Sequence, residues 1–263
     1  MIIILDNLTL FCYLLSTLFH WLFMASRKRT LLPYAIGAAC VGFALHTGYL
    51  VVEASRIGLL LFSEVQGTTA FFSWTLVLVY LITQAVTRVR ALGSFLLPLA
   101  ILALLLGLAV PPESTYFLPP LTSFWLITHV VLAILGYAAF ALTFCAGLMF
   151  LLQDSYLKAK QLGGFSARLP SLEMLDRLNF WALAFGVPLL TQGIITGAIW
   201  ARYARGSLWI WERTAWPLIV IWGIYVLLFI GRWYLGWRGR RAAFAVVAGF
   251  CGVSLGYLIH TLG

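Results

Sequence analysis

The sequence predicts an all-α fold: a polytopic integral membrane bundle of about eight transmembrane helices, with both termini on the outer side. Three observations carry that prediction. Of 263 residues, 63% are hydrophobic and only 10% charged, where a soluble domain carries about 25% charged residues. The apolar residues come in runs of about 20, the length that crosses roughly 30 Å of hydrocarbon as a helix. The Lys and Arg residues collect in alternate connections, thirteen on one side and four on the other. The richer side is the cytoplasmic one.

The apolar runs place helices at about residues 4–25, 31–53, 68–87, 92–110, 124–152, 178–200, 217–236 and 242–261. They form a single transmembrane domain over 1–263, with 1–110 as an N-terminal four-helix part and 124–263 as a second part. The fifth run is long enough to protrude or tilt. The cytoplasmic connections carry Arg27, Lys28 and Arg29; Arg88 and Arg90; Lys158, Lys160, Arg168 and Arg177; and Arg232, Arg238, Arg240 and Arg241. Arg56, Arg202, Arg205 and Arg213 fall on the other side. The net charge of +9 is therefore a membrane-topology signature, and nucleic acid is not an expected partner. The first run lacks a basic n-region and reads as a retained helix. The expected location is the cell's inner (cytoplasmic) membrane, multi-pass, with the lipid bilayer as solvent.

Cys12, Cys40, Cys145 and Cys251 each sit alone in an apolar run and read as small buried residues. The outer loop at 111–120 (PPESTYFLPP) reads as a rigid cap. In the inner loop, Ser171, Glu173 and Asp176 mark either a helix start with acids in its first turn or a short surface helix. The run GWRGRR at 236–241 reads as a topology anchor.

Residues 200–216, WARYARGSLWIWERTAW, hold four tryptophans, three arginines and a glutamate between apolar runs. Arg and Glu resist entering hydrocarbon, and an ordinary solvated loop is poor in Trp. Indole rings settle at the membrane boundary or against a flat ligand. Both readings stay open on composition alone: a boundary belt, or a platform for a planar cofactor.

Histidine inside a bilayer is a functional hypothesis by default. His129 lies about five residues into the fifth run, roughly 7 Å from its outer end. His260 sits at the outer mouth of the eighth run, and His46 in the outer half of the second. Three histidines thus share the half that carries the Trp segment. His20, near the inner end of the first run, reads as structural. Imidazole is an ordinary axial ligand for haem iron, so His129 and His260 beside an indole platform point to haem. A boundary histidine bonded to a neighbour or water is the alternative for each alone. His46 is either a deeper ligand or a residue on the way in. No GxxxxGK[ST], HExxH or GxSxG pattern appears.

Several segments are similar to one known family. LTQGIITGAIWA (190–201), WIWE (209–212) and AWPLI (215–219) resemble the tryptophan-rich "WWD" segment of the cytochrome c assembly protein family, which includes the CcsA/ResC-like, CcmC and HemX-like membrane haem handlers. HVVLAILGYAAF (129–140) resembles its His-bearing helix, and LPSLEMLDRLNF (169–180) its inner loop. GWRGRRAAF (236–244) with GYLIHTLG (256–263) resembles its last helix with a terminal His. The resemblance covers residues 124–263 well and reaches the first half through ALHTGYL around His46.

The resemblance implies haem b as bound substrate or cofactor, ligated by His129 and His260. Trp209, Trp211 and Trp216 would meet its face and edge, and His46 would receive it within the membrane. It implies presentation of haem at the outer face for covalent attachment to the CxxCH cysteines of apocytochrome c, beside a ResB/Ccs1-like membrane partner. The chain would then be part of a holocytochrome c synthase complex. Arg202, Arg205 and Arg213 are the candidate partners for haem propionates, by the fork geometry of guanidinium on carboxylate. The alternative within the family is a HemX-like regulator of haem synthesis, or a haem-binding membrane protein without ligation activity.

Overall fold

The computed structural model describes residues 2–26, 28–62, 65–109, 124–161, 163–205 and 216–262, with side chains at all of these except 59–60, 204–205, 216–218 and 253–262. These residues form eight α-helices and no strands: α1 (Ile2–Ser26), α2 (Leu31–Ile57), α3 (Val65–Thr87), α4 (Gly93–Ala109), α5 (Phe124–Lys158), α6 (Leu172–Arg205), α7 (Trp216–Trp233) and α8 (Arg240–Leu262). Short 3₁₀ turns follow α2 at Gly58–Phe62 and precede α6 at Ser166–Arg168. Five of the helices are long and apolar enough to cross a membrane: Ile2–Ser26, Leu31–Ile57, Val65–Thr87, Phe124–Lys158 and Leu172–Tyr203. The protein is a polytopic helical membrane protein.

The chain divides into two compact units, Met1–Thr122 with Leu162–Pro170, and Ser123–Gln161 with Ser171–Gly263. In the first, α1 packs on α2 and α4, and α3 on α2 and α4. The second repeats that ring order, with α5 on α6 and α8, and α7 on α6 and α8. Neighbours in each ring run antiparallel, because short connections join helices end to end. In the second unit Gly136 faces Leu190, Gly186 faces Phe140, Gly147 faces Val246, and Gly249 faces Ile224. Its core is Phe140, Leu183, Val187, Leu190, Ile221, Tyr225, Leu228 and Val246, drawn from all four helices. Tyr225 lies flat on Phe140, with ring centroids 3.7 Å apart.

Exposed apolar side chains on the helices, among them Phe11, Leu18, Val41, Val51, Val86 and Leu227, are what hydrocarbon requires of a lipid-facing surface. The same logic corrects the reading of the cysteines. Cys145 is buried, but Cys12 is only half-buried, and Cys40 and Cys251 are exposed. Lipid, not protein, shields the last two from water.

The sixth helix starts earlier than its apolar run suggests. Leu172 begins a continuous helix of 34 residues. Ser171 Oγ accepts the Met174 N–H at 3.3 Å, a cap on the N3 amide. The helix-start reading of Ser171 and Glu173 holds. Asp176, however, does more than start a helix. Its carboxylate meets the Arg232 guanidinium at 3.1 Å, with the Arg232 side chain 4% exposed, and accepts the Gly239 N–H at 3.0 Å. Arg232 also donates to Asn179 Oδ1 and to the Asp176 carbonyl, both at 3.1 Å. Asn179 in turn donates to the Thr143 carbonyl at 3.0 Å. One ion pair thereby ties α5, α6, α7 and the α7–α8 turn together.

That turn is the GWRG segment. Gly236 and Gly239 both have left-handed φ, +65° and +64°, which glycine adopts without steric cost. The Trp237 ring packs where a side chain on Gly231 would stand. The anchor is a folded corner pinned to α6.

Removing one partner of a buried pair leaves the other charge uncompensated, typically at about 3–5 kcal/mol. We therefore expect Asp176→Ala to lower the thermal midpoint of the detergent-purified protein sharply. Glu173→Ala breaks the exposed Glu173–Arg177 pair and should change stability by less than about 1 kcal/mol. Scanning calorimetry or circular dichroism melting checks both.

Candidate functional site: the intramembrane histidines

The first helix carries Asp6, Thr9, Tyr13, Ser16, Thr17 and His20, all buried. They recur every three or four residues, so they form one stripe along an otherwise apolar helix. His20 ends this stripe, and His46 of α2 lies against it at Tyr13.

His20 is 0% exposed. Its Nδ1–H donates to the Ser16 carbonyl at 2.8 Å. That bond assigns the lone pair to Nε2, which accepts the Tyr80 O–H at 3.0 Å. Both ring nitrogens are satisfied inside the protein, and the structural reading of His20 stands. Gly93 of α4 makes room for the ring, since a Cβ there would collide with His20 Nε2.

His46 is also 0% exposed. Its Nδ1 pairs with the Tyr13 hydroxyl at 3.1 Å, and the Tyr13 and Tyr49 rings lie 5.8 and 6.0 Å from it, centroid to centroid. Gly42 leaves space for the Tyr13 ring. His46 Nε2 has no hydrogen-bond partner among the described residues. A buried polar atom without a partner costs roughly 1–3 kcal/mol. The two histidines of this unit are therefore chemically distinct: one is fully bonded, and one presents a nitrogen to its surroundings.

In the second unit, His129 lies on the sixth position of α5 and is half-buried. Its Nδ1–H donates to the Gly193 carbonyl of α6 at 2.7 Å. That oxygen is within reach because α5 and α6 come unusually close. A Cβ on Gly193 would stand 3.0 Å from the Ala133 amide nitrogen, and one on Gly197 only 2.5 Å from His129 Nδ1. Small residues four apart are how membrane helices bring backbones together. The donated Nδ1–H fixes the ring's orientation and its tautomer, with the lone pair on Nε2. Metal-ligating histidines are held in this way.

Antiparallel packing brings the start of α5, the end of α6, the start of α7 and the end of α8 to one end of the second unit. His129 is at that end. Arg202 is there too, exposed on the last turn of α6. Arg205 closes α6, Trp216 opens α7, and position 260 falls in the last turn of α8; the side chains of these three are not among those described. Trp209, Trp211 and Arg213 lie outside the described residues altogether. Helix register thus brings His129, Arg202 and the backbone of residues 205, 216 and 260 to a common end. His46 belongs to the other unit. Among the described residues no group of three or more His, Cys, Asp or Glu is gathered to hold a metal ion. One or two imidazoles are what haem iron takes from protein.

The residues that sequence reading missed are the hydroxyl partners. Tyr13 and Tyr80 are indistinguishable from boundary tyrosines in composition. The three-to-four spacing from Asp6 to His20 was the available signal for Tyr13.

Fold and side chains together define a polytopic helical membrane protein with buried or half-buried imidazoles in each of its two units. The chain belongs to the cytochrome c assembly protein family, whose sequence profile matches residues 62–263. It is similar to the cytochrome c biogenesis protein CcsA of Gloeobacter violaceus, 28% identical over 97% of this chain and 92% of that protein. The CcsA protein of Microcystis aeruginosa is likewise 28% identical, over 98% of this chain and 94% of its own length. That of Porphyra purpurea is 29% identical over 76% of each.

The His20 pocket gives a stability test. Gly93→Ala should displace the His20 ring and unpair buried groups, at about 1–3 kcal/mol for each group left unpaired. Gly48→Ala is the control, because a Cβ at Gly48 meets nothing within 4 Å. Thermal melts in detergent should show a lowered midpoint for Gly93→Ala only.

Proposed function

We propose that this chain is a haem-handling membrane component of cytochrome c biogenesis. It binds haem b at the outer face of the cell's inner membrane and presents it for attachment to the CxxCH cysteines of apocytochrome c. The coarse role, cytochrome c assembly, follows from family membership. The haem reading rests on residues. Its main support is His129, whose Nδ1–H is held by the Gly193 carbonyl. That bond orients the ring and sets its tautomer, with the lone pair on Nε2.

In this reading His260, brought to the same end by α8, supplies the second axial imidazole. Trp209, Trp211 and Trp216 offer a flat apolar surface. Arg202, Arg205 and Arg213 pair with the propionates, which explains cations on the face where the positive-inside rule expects few. His46, with Nε2 unpartnered in the first unit, is the intramembrane acceptor. Each thioether forms by adding a cysteine S–H across a haem vinyl group, so this chain needs no nucleophile. Its contribution is positioning and orientation. The apocytochrome is received with a ResB/Ccs1-like membrane partner.

The test is a visible absorption spectrum of the full chain purified in detergent after expression with haem supplied. A low-spin Soret band is expected, reduced in both His129→Ala and His260→Ala and restored by added imidazole. Gly197→Val should weaken the band too, because its side chain would occupy the place of the His129 ring. A wild-type protein with no band, or two alanine variants with the full band, would remove the outer haem site.

A further inference from the structure

At the end of the first unit where α1 and α3 finish and α2 and α4 begin, a cavity of about 340 Å³ is lined by Phe23, Arg29, Leu32, Pro33, Ile36 and Arg90. Arg29 comes from the α1–α2 turn and Arg90 from the α3–α4 turn. Both are exposed, and neither guanidinium has a carboxylate partner among the described residues. No acid is available in sequence either. Between Asp6 and Glu53, and between Glu64 and Glu113, the chain contains no Asp or Glu. Lys28 and Arg88 add further positive charge to the same turns. The first turn of α2, which carries Leu32 and Pro33, contributes the positive end of a helix dipole.

We propose that this cavity binds the headgroup of an anionic phospholipid, with its phosphate between Arg29 and Arg90. The chemistry of the lining supports an amphiphile over a simple ion. Two cations stand over four apolar side chains, and Phe23 is 5% exposed. A phosphate takes the guanidinium forks, while glycerol and the first acyl methylenes lie on Phe23, Leu32, Pro33 and Ile36. The volume is at the small end of ligand sites, about 300–1,000 Å³. That suits a headgroup whose chains continue along the lipid-facing helix surface. Basic pockets between membrane helices bind anionic headgroups in this manner. The bound lipid would bridge two turns that have no ion pair joining them.

Native mass spectrometry of the full chain in neutral detergent tests the site, with phosphatidylglycerol and phosphatidylcholine added in parallel. Wild type should retain phosphatidylglycerol over phosphatidylcholine by about fivefold, the size that two partly exposed ion pairs support. Arg29→Gln/Arg90→Gln removes the charges, and Ile36→Trp fills the cavity while keeping them. Each should bring the ratio close to one, with unchanged elution and helicity. Lys28→Gln/Arg88→Gln, outside the lining, should leave the ratio intact. A ratio unchanged in both cavity variants, or lost equally in the Lys28/Arg88 variant, would overturn the proposal. So would displacement of the lipid by an equal concentration of inorganic phosphate or of haemin, which would assign the cations to a free anion or to a porphyrin carboxylate.

Discussion

Hydrocarbon offers no hydrogen-bond partner, so each polar group that a membrane helix turns inward must find one within the protein. This constraint shapes both units. In the first, one helix carries a polar stripe from Asp6 to His20, and the neighbouring helices answer it. Ser16 Oγ donates to the Ala35 carbonyl at 2.7 Å, Thr17 to its own helix at Tyr13, and His20 is closed at both nitrogens. On the α2–α3 side, Trp74 Nε1 donates to Thr47 Oγ1 at 2.9 Å. In the second unit, Trp222 Nε1 donates to Thr191 Oγ1 at 2.8 Å, and Arg232 spends its charge on Asp176 and Asn179. Three of the buried atoms left without an answer, His46 Nε2, Thr9 Oγ1 and Asp6 Oδ1, lie on α1 and its partner α2; others lie elsewhere, among them Gln84 Oε1 and Ser94 Oγ.

Partnering polar groups across helices requires the helices to come close, and small residues set that distance. With no hydrophobic drive between apolar surfaces in lipid, packing and shape hold the bundle. The α5–α6 contact is the clearest case. Gly136 meets Leu190, Gly193 meets Ala133, and Gly197 meets His129. Without Gly193 and Gly197 the His129 ring would have neither its seat nor the carbonyl that orients it. The candidate ligand is therefore a consequence of the glycine spacing on the opposite helix. The histidine and the GxxxG of LTQGIITGAIWA are one feature read from two helices.

Much of this was legible in the sequence, because length, hydropathy and Lys/Arg distribution report directly on solvent. The eight helices begin and end within a few residues of their apolar runs, except where polar residues continue a helix beyond the hydrocarbon. Leu172 to Phe180 is such a continuation: its Glu173, Asp176 and Arg177 belong to helix α6 and interrupt only its hydropathy. Roles that depend on a contact between distant segments could not be read from composition. Asp176 with Arg232, 56 residues apart, is invisible to periodicity, as is Tyr80 with His20. The lipid-facing Cys40 and Cys251 misled because an apolar run inside a membrane protein does not say which neighbours are protein and which are lipid. Counting residues from the helix start put His129 five residues in, and it lies on the sixth position of α5.

The two units share a ring order but differ in what they can do with an imidazole. His46 is 0% exposed, with Nδ1 paired to the Tyr13 hydroxyl and the Tyr13 ring seated against Gly42. His129 is half-buried near a helix end, and its orientation comes from a backbone carbonyl, which persists whether or not a ligand is present. The enclosed imidazole and the end-on one therefore differ in burial and in the group that orients them.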